Sequence, residues 1–302
     1  MPAAASDPAW GDLRVDLHAH SVRSDGTEAP AELVDAARTA GLDVVALTDH
    51  DTFAGWAEAE AQARRDGIGV VPGLEFSTRL GRRSFHLLGY LMDPDDPELL
   101  AEMARIRGSR LTRAQHIVER LAPATGLTWG EVLAQVHGDA PVGRPHIADA
   151  LVARGAAPNR SAAFAGILRP PAGGLPVFYA PTPERAIELV RHAGGVPVLA
   201  HPGASARGGL PPRSDLESMV AAGLGGVEVD HRENPDAVRA SLRTFARDHD
   251  LIMTGSSDYH GAGKPNRLGE NLTAASQLRR ILAEGRGIEP VLPERLQELL
   301  ER

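Results

Sequence analysis

Short apolar runs that end beside histidine, aspartate or glutamate recur along most of this chain, and that pattern leaves few folds open. Runs at 13–17, 44–47, 68–71, 85–91, 196–200, 226–229 and 251–254 have the length and composition of buried strands. Most are separated by helical patterns. Residues 30–40 place Leu33, Val34 and Ala37 at helical spacing with Gly41 as a C-cap, and a second helix spans 53–66 and stops at Gly67. The alternation predicts an α/β chain with a mostly parallel sheet or barrel. The connection between Glu75 and His86 is too short for a crossover helix and carries Gly81, so the fourth strand is expected to return antiparallel, with His86 close to Glu75.

From 93 to 182 the strand rhythm stops and helical patterns take over, at 97–121, 128–136, 145–153 and 160–167. The proline- and glycine-rich stretch 169–176 returns the chain to the strand pattern. The expected organisation is a barrel from 1–92 and 183–302, with 93–182 as an inserted helical cap over the catalytic end, where barrel loops converge. Two amphipathic helices, 274–284 and 293–302, close the chain.

The chain has no cysteine, so disulfides, iron–sulfur clusters and thiolate zinc sites are excluded, and any metal must take nitrogen and oxygen ligands. Residues 1–10 lack the basic start and apolar stretch of a secretion signal, and no run approaches a membrane span, so a soluble cytoplasmic protein is expected. A formal net charge of -8 argues against a broad grip on duplex DNA while leaving room for a small or single-stranded anion held locally.

The strand ends carry the chemistry. His18 and His20, at i and i+2 on an extended segment, point to one side and can grip one cation; Asp258 and His260 repeat the spacing. His50, Glu75 and His201 also fall at or just past strand carboxyl ends, which converge on one face of an α/β barrel. His116, His137, His192 and His249 scatter over amphipathic helices and read as surface residues. The converging set predicts a polynuclear metal site and hence a hydrolase.

Those residues lie in motifs that resemble the polymerase-and-histidinol-phosphatase (PHP) family of phosphoesterases: Asp16-Leu-His-Ala-His-Ser21, Ser24-Asp25-Gly26, Thr48-Asp49-His50-Asp51, Gly73-Leu-Glu75, Ala200-His201-Pro202 and Gly255-Ser-Ser-Asp258-Tyr-His260-Gly261. The likeness covers nearly the whole chain. The insert, with Gly143-Arg144-Pro145-His146-Ile147-Ala148, resembles the subgroup acting on nucleoside 3′,5′-bisphosphates and, in some members, on RNA 5′ ends. The resemblance implies a distorted (β/α)7 TIM-like barrel holding three divalent metal ions (Mn2+, Fe2+ or Zn2+). One would lie on His18, His20, Glu75 and Asp258, a second on Glu75, His86 and His201, and a third on Asp25, His50 and His260. Some relatives carry histidine where this chain has Asp25.

Such a site needs no side-chain nucleophile, since clustered cations activate water and neutralise phosphoryl oxygens, with Glu75, Asp258 and His260 as the catalytic set. Asp16, Asp49 and Asp51 are expected to orient the imidazoles by accepting their second N–H. Arg144 and His146 are candidates for a second phosphate, because a guanidinium matches phosphate bidentately. Lys264 and His231 are further candidates for substrate contact. Arg105, Arg107 and Arg110 resemble a solvated basic helix face with a phosphate-binding alternative. The expected activity is removal of the 3′-phosphate of a nucleoside 3′,5′-bisphosphate. The alternatives are a 5′-to-3′ exoribonuclease on short single-stranded RNA, a histidinol-phosphate phosphatase and a non-catalytic metal-binding regulatory module.

Overall fold

The computed structural model describes residues 13–170, 178–205 and 208–300. Residues 1–10, most of the proline- and glycine-rich return stretch and the last two residues of the expected closing helix lie outside them. Among the described residues, seven strands form one sheet whose spatial order equals their chain order: β1 (Val15–Asp16), β2 (Val44–Leu47), β3 (Gly69–Leu80), β4 (Arg83–Tyr90), β5 (Val196–Ala200), β6 (Gly226–Asp230) and β7 (Ile252–Gly255). β4 pairs antiparallel with both β3 and β5, and the other neighbours are parallel. The β3–β4 pair is a hairpin in which Ser77 faces His86 and Leu80 faces Arg83. Gly81, at φ 59°, supplies the left-handed turn residue there. β3 runs well past the apolar stretch seen in sequence, because hairpin pairing extends a strand whose own residues have turned polar.

The sheet curls so that its two ends meet. Past β1, Ala19 bridges Tyr259, and the amide of His20 donates to the Tyr259 carbonyl at 2.8 Å. Strand pleating then sorts alternate residues. Val44 and Ala46 join Val15, Leu17, Val71, Leu88, Tyr90 and Val198 in the barrel interior. Val45 and Leu47 face the opposite way, into an outer core with Leu33, Val34 and Ala37 of α1 (Pro30–Thr39) and Ala59 and Ala63 of α2 (Trp56–Asp66). α2 begins at Trp56, not at Phe53, and ends as expected on Gly67, whose φ of 66° closes a left-handed cap.

Among the described residues, β4 is followed by α3 (Pro97–Thr125), α4 (Trp129–Leu133), α5 (Arg144–Ala153) and α6 (Arg160–Ala165) before the helix that leads into β5. Along α3 the packing partner changes. Leu99, Met103 and Ile106 join the barrel's outer core, whereas Ala114, Ile117 and Val118 join a separate core with Ile147, Leu151 and Ala163. α3 also continues past Leu121 through Pro123, which ends the helix within one turn. The remaining β/α helices are α7 (Pro183–His192), α8 (Arg213–Ala221), α9 (Asp236–Asp248) and α10 (Ala275–Glu284). α11 (Glu294–Leu300) brings Leu296 onto the barrel interior at the end away from the histidines. No helix among the described residues is long and apolar enough to cross a membrane.

Candidate metal centre

The strand geometry brings the histidine and carboxylate candidates together. His18 and His20 leave β1 on the same side, and their Nε2 atoms face each other at 3.1 Å. Both ring nitrogens are thus aimed at one point, as two ligands of a single cation would be. Asp258 Oδ1 lies 3.3 Å from His20 Nε2 and 3.5 Å from His18 Nε2, and Glu75 Oε2 lies 3.1 and 3.3 Å from the same atoms.

Glu75 is the hub. It follows the buried Leu74 on β3 and is 1% exposed. Its Oε1 contacts His86 Nδ1 closely and lies 3.0 Å from His201 Nε2, while its Oε2 lies 3.1 Å from His50 Nδ1. Asp25 Oδ1 stands 3.1 Å from His260 Nε2, and Asp25 Oδ2 is 3.8 Å from His50 Nε2. Ligand atoms of His18, His20, Glu75 and Asp258 all lie within 4.8 Å of one another, and so do those of His20, Asp25, His50 and His260 and those of His50, Glu75 and His86. Despite these short separations, Glu75 Oε2, His50 Nδ1, His201 Nδ1 and His260 Nε2 are buried with no partner in hydrogen-bonding geometry among the described residues. Orphaned polar atoms of this kind are rare unless an ion or water completes them.

Electrostatics agrees. Burial disfavours charge on Glu75, yet the imidazoles of His86, His50 and His18 hold its carboxyl well below the usual range. Burial likewise opposes ionisation of Asp25 and Asp258, and His260 beside the first and Lys264 beside the second keep both low. These anions pull protons onto His18, raised well above its usual value, and His20, raised to about 9, although burial works against both. Burial and neighbouring cations hold His50 well below its usual value and His260 at about 4. Divalent cations would supply the positive charge these carboxylates attract and leave every imidazole neutral and free to donate a lone pair. A nitrogen-and-oxygen donor set of this composition fits manganese, iron or zinc.

The loops that carry the ligands are held in unusual backbone conformations. Asp51, His201 and Asp258 have φ of 51°, 28° and 54°. Such strain persists only where neighbours fix it. The His201 amide donates to Glu228 Oε2 at 2.7 Å, and the Ser77 amide donates to Asp51 Oδ1 at 2.9 Å.

The imidazole-orienting role expected of Asp16, Asp49 and Asp51 needs correction. Asp16 accepts from the amides of Ser257 and Gly269, so it ties the barrel seam. Asp51 accepts from Ser77 and faces Arg110 Nε at 3.0 Å. Asp49 accepts from the Ser24 hydroxyl at 2.6 Å, and that hydroxyl lies 3.4 Å from His20 Nδ1, so its influence passes through Ser24. A carboxylate outside the assigned ligands that engages an imidazole directly is Glu228, 3.0 Å from His18 Nδ1 and fully buried in β6. Burial opposes its ionisation, but His231 and His18 bring it down to about 2. The available sequence signal was a lone carboxylate inside an apolar strand.

Beside the ligands opens a cavity of about 400 Å3. Asp25, His50 and His86 border it on one side, and Arg79, Arg110, Arg113, Arg144 and Lys264 line it together with Phe164 and Phe178. Arg144 Nη2 donates to the Leu168 carbonyl at 2.8 Å, its guanidinium lies 4.7 Å from the Phe164 ring centre, and its Nε is buried without a hydrogen-bond partner among the described residues. Arg113 is pushed down to about 10 by burial and by Arg144, Arg110 and Arg79, a measure of how much positive charge is concentrated here. Lys264 Nζ lies 2.7 Å from Asp258 Oδ2. His231 is fully buried under the cluster, with Nδ1 accepting from the Glu233 amide and Nε2 3.9 Å from Asp258 Oδ2. His146 is buried too; its Nδ1 accepts from the Gly143 amide, and the ring also hydrogen-bonds the Ser24 backbone. Of the basic face of α3, Arg110 reaches the cavity, whereas Arg105 stacks on Tyr179 at 3.5 Å. His116, His137 and His192 are exposed and His249 is partly buried, away from the ligands.

Known proteins resemble this chain over most of its length. Residues 16–119 match the model of the PHP domain. A 3′,5′-nucleoside bisphosphate phosphatase of Chromobacterium violaceum is 34% identical over 259 residues, spanning 84% of this chain and 89% of the relative. A 5′-3′ exoribonuclease of Haemophilus influenzae is 34% identical over 260 residues, spanning 86% and 94%. A solved structure from Bifidobacterium adolescentis, described as a metal-dependent phosphoesterase, superposes with a TM-score of 0.88 at 43% identity over 91% of this chain and 97% of that one. Likeness of this extent places the chain in the PHP-domain family of metal-dependent phosphoesterases.

Proposed function

We propose that this protein is a phosphomonoesterase that removes the 3′-phosphate of nucleoside 3′,5′-bisphosphates. The observation that carries the proposal is the cavity itself, in which a cluster of metal-type ligands adjoins a wall of arginines interleaved with aromatic rings. Three divalent cations would be held by His18, His20, Glu75 and Asp258, by Glu75, His86 and His201, and by Asp25, His50 and His260, with Glu75 shared. Bound there, they supply Lewis acidity that neutralises phosphoryl oxygens and makes water an effective nucleophile at neutral pH.

The chain's own residues select the substrate. Arg144, Arg110 and Arg113 offer planar donors to a second phosphate away from the ligands, and Phe164 and Phe178 offer faces to a base. Lys264 reaches towards Asp258 from the cavity side, where it can balance charge on the phosphate being cleaved. His146 supports the loop of Ser24 and Asp25 from behind, and His231 packs beneath His18 and His201, with ring centres 6.4 and 5.2 Å apart. Residues 93–182 act as a cap, in which the second half of α3 together with α5 and α6 brings the arginines over the barrel mouth. An RNA 5′ end presents the same groups, a nucleotide with phosphates on both sides, and the name of the Haemophilus influenzae relative supports that second reading. Phosphate release from adenosine 3′,5′-bisphosphate, compared with nucleotide release from a short 5′-phosphorylated RNA, tests the choice. Faster turnover of the bisphosphate is expected, and turnover of RNA alone would overturn it.

A further inference from the structure

One arginine of the helical insertion touches two of the three loops that carry the ligands assigned to the third cation, those of Asp25 and His260. Arg160, the first residue of α6, is 10% exposed at its side chain. Its Nε and Nη2 hold both oxygens of Asp149 on α5, at 2.8 and 2.5 Å, and its Nη1 donates to the backbone carbonyl of Asp25 at 2.7 Å. The fork is thus oriented by α5 and aimed at the peptide that carries Asp25. The same guanidinium lies against Gly263, where an added Cβ would overlap Nη1 and stand 3.0 Å from Cζ. Gly263 ends the turn Gly261–Gly263, and its amide closes on the His260 carbonyl at 3.1 Å. Thr27 joins the two loops independently, accepting from the Ala262 amide at 2.8 Å and donating to the His260 carbonyl at 3.3 Å.

The geometry points to Arg160 as a positioning residue: through it, the helical insertion sets the separation of Asp25 and His260 and so the affinity of the third cation site. A guanidinium suits the task because its planar fork can hold a carboxylate with one edge and keep donors for a carbonyl on the other. Ligands presented from two separate loops close on a cation only when the loops are held in register, and groups behind the ligands typically govern metal affinity by 10- to 100-fold. The inference rests on the assignment of Asp25, His50 and His260 to a third cation.

The test is Mn2+ binding to the full chain in the absence of substrate, by equilibrium dialysis with metal analysis, for the wild type, Arg160→Ala, Arg160→Lys, Gly263→Ala and His260→Ala. The wild type should bind three equivalents, and Arg160→Ala should weaken one of them by about 10- to 100-fold while the other two keep their affinity. Gly263→Ala should do the same with Arg160 in place, because its methyl displaces the guanidinium, and Arg160→Lys should recover part of the loss. In Arg160→Ala/His260→Ala no further equivalent should be lost beyond His260→Ala alone. Wild-type binding of all three equivalents by both Arg160→Ala and Gly263→Ala overturns the positioning role. Equal weakening of every equivalent, together with a lowered melting temperature, also overturns it, since that is the mark of a fold-wide role. A wild type that binds only two equivalents removes the third-site assignment itself, an outcome distinct from either.

Discussion

Arg144→Ala separates the proposed substrate selection from structural support most directly, because the residue lines the cavity and also contacts the protein around it. Among the described residues, its Nη2 donates to the Leu168 carbonyl, its guanidinium stacks over Phe164, and its Nε is buried with no hydrogen-bond partner. Removing the hydrogen bond and the stacking should cost the helical insertion about 1–2 kcal/mol, within the range of such contacts at partly exposed sites. A charged hydrogen bond to substrate is worth about 1.5–3 kcal/mol. At about 1.4 kcal/mol per tenfold, kcat/KM for adenosine 3′,5′-bisphosphate should fall roughly 10- to 150-fold. Hydrolysis of p-nitrophenyl phosphate, which has no second phosphate, should change less than about twofold under the same conditions. Steady-state phosphate release on the two substrates, with metal content and melting temperature measured on the same preparation, gives all four quantities. Equal losses on both substrates with metal content intact would refute the second-phosphate role and move Arg144 to general phosphate binding. No loss on either would leave it a packing residue of the insertion.

Glu75→Gln keeps the shape but not the charge at the point where His86, His201, His50, His18 and His20 converge; nearly all activity and tight binding at two cation sites should be lost while circular dichroism stays native, and full metal occupancy with normal turnover would sink the shared-ligand assignment. Glu228→Gln, which removes the buried anion behind His18 Nδ1, should lower metal affinity or turnover by about 10- to 100-fold, with unchanged values returning Glu228 to a purely structural role. Chelation should abolish turnover and lower the melting temperature, because cations present at about 1,000 times their dissociation constant stabilise the fold by about 4 kcal/mol. Readdition of Mn2+ should restore both, and an unchanged melting temperature in the chelated protein would contradict tight binding.

Much of this protein is written in local order along the chain. Seven apolar stretches, the glycine after α2, the short link through Gly81 and the i, i+2 histidine pairs depend on neighbours only a few residues apart. The strands, the antiparallel β4 and the convergence of His18, His20, His50, Glu75, His201, Asp258 and His260 are therefore legible in the amino-acid sequence itself. The longer reach of β3 was not, because hairpin pairing extends a strand beyond its apolar residues. The carboxylate behind His18 was also hidden: Asp16, Asp49 and Asp51 adjoin the histidines in sequence, yet strand direction turns them onto backbone amides, serines and Arg110, and Glu228 reaches His18 from 210 residues away. The cavity wall shows the same division. Arg79, Arg110, Arg113, Arg144 and Arg160 look alike as residues on a hairpin and three helices, and only the packing of those elements over the barrel mouth brings their charges to one place. Periodicity determines what a segment becomes; which distant side chains meet is decided by burial and by the need of each buried charge for a partner.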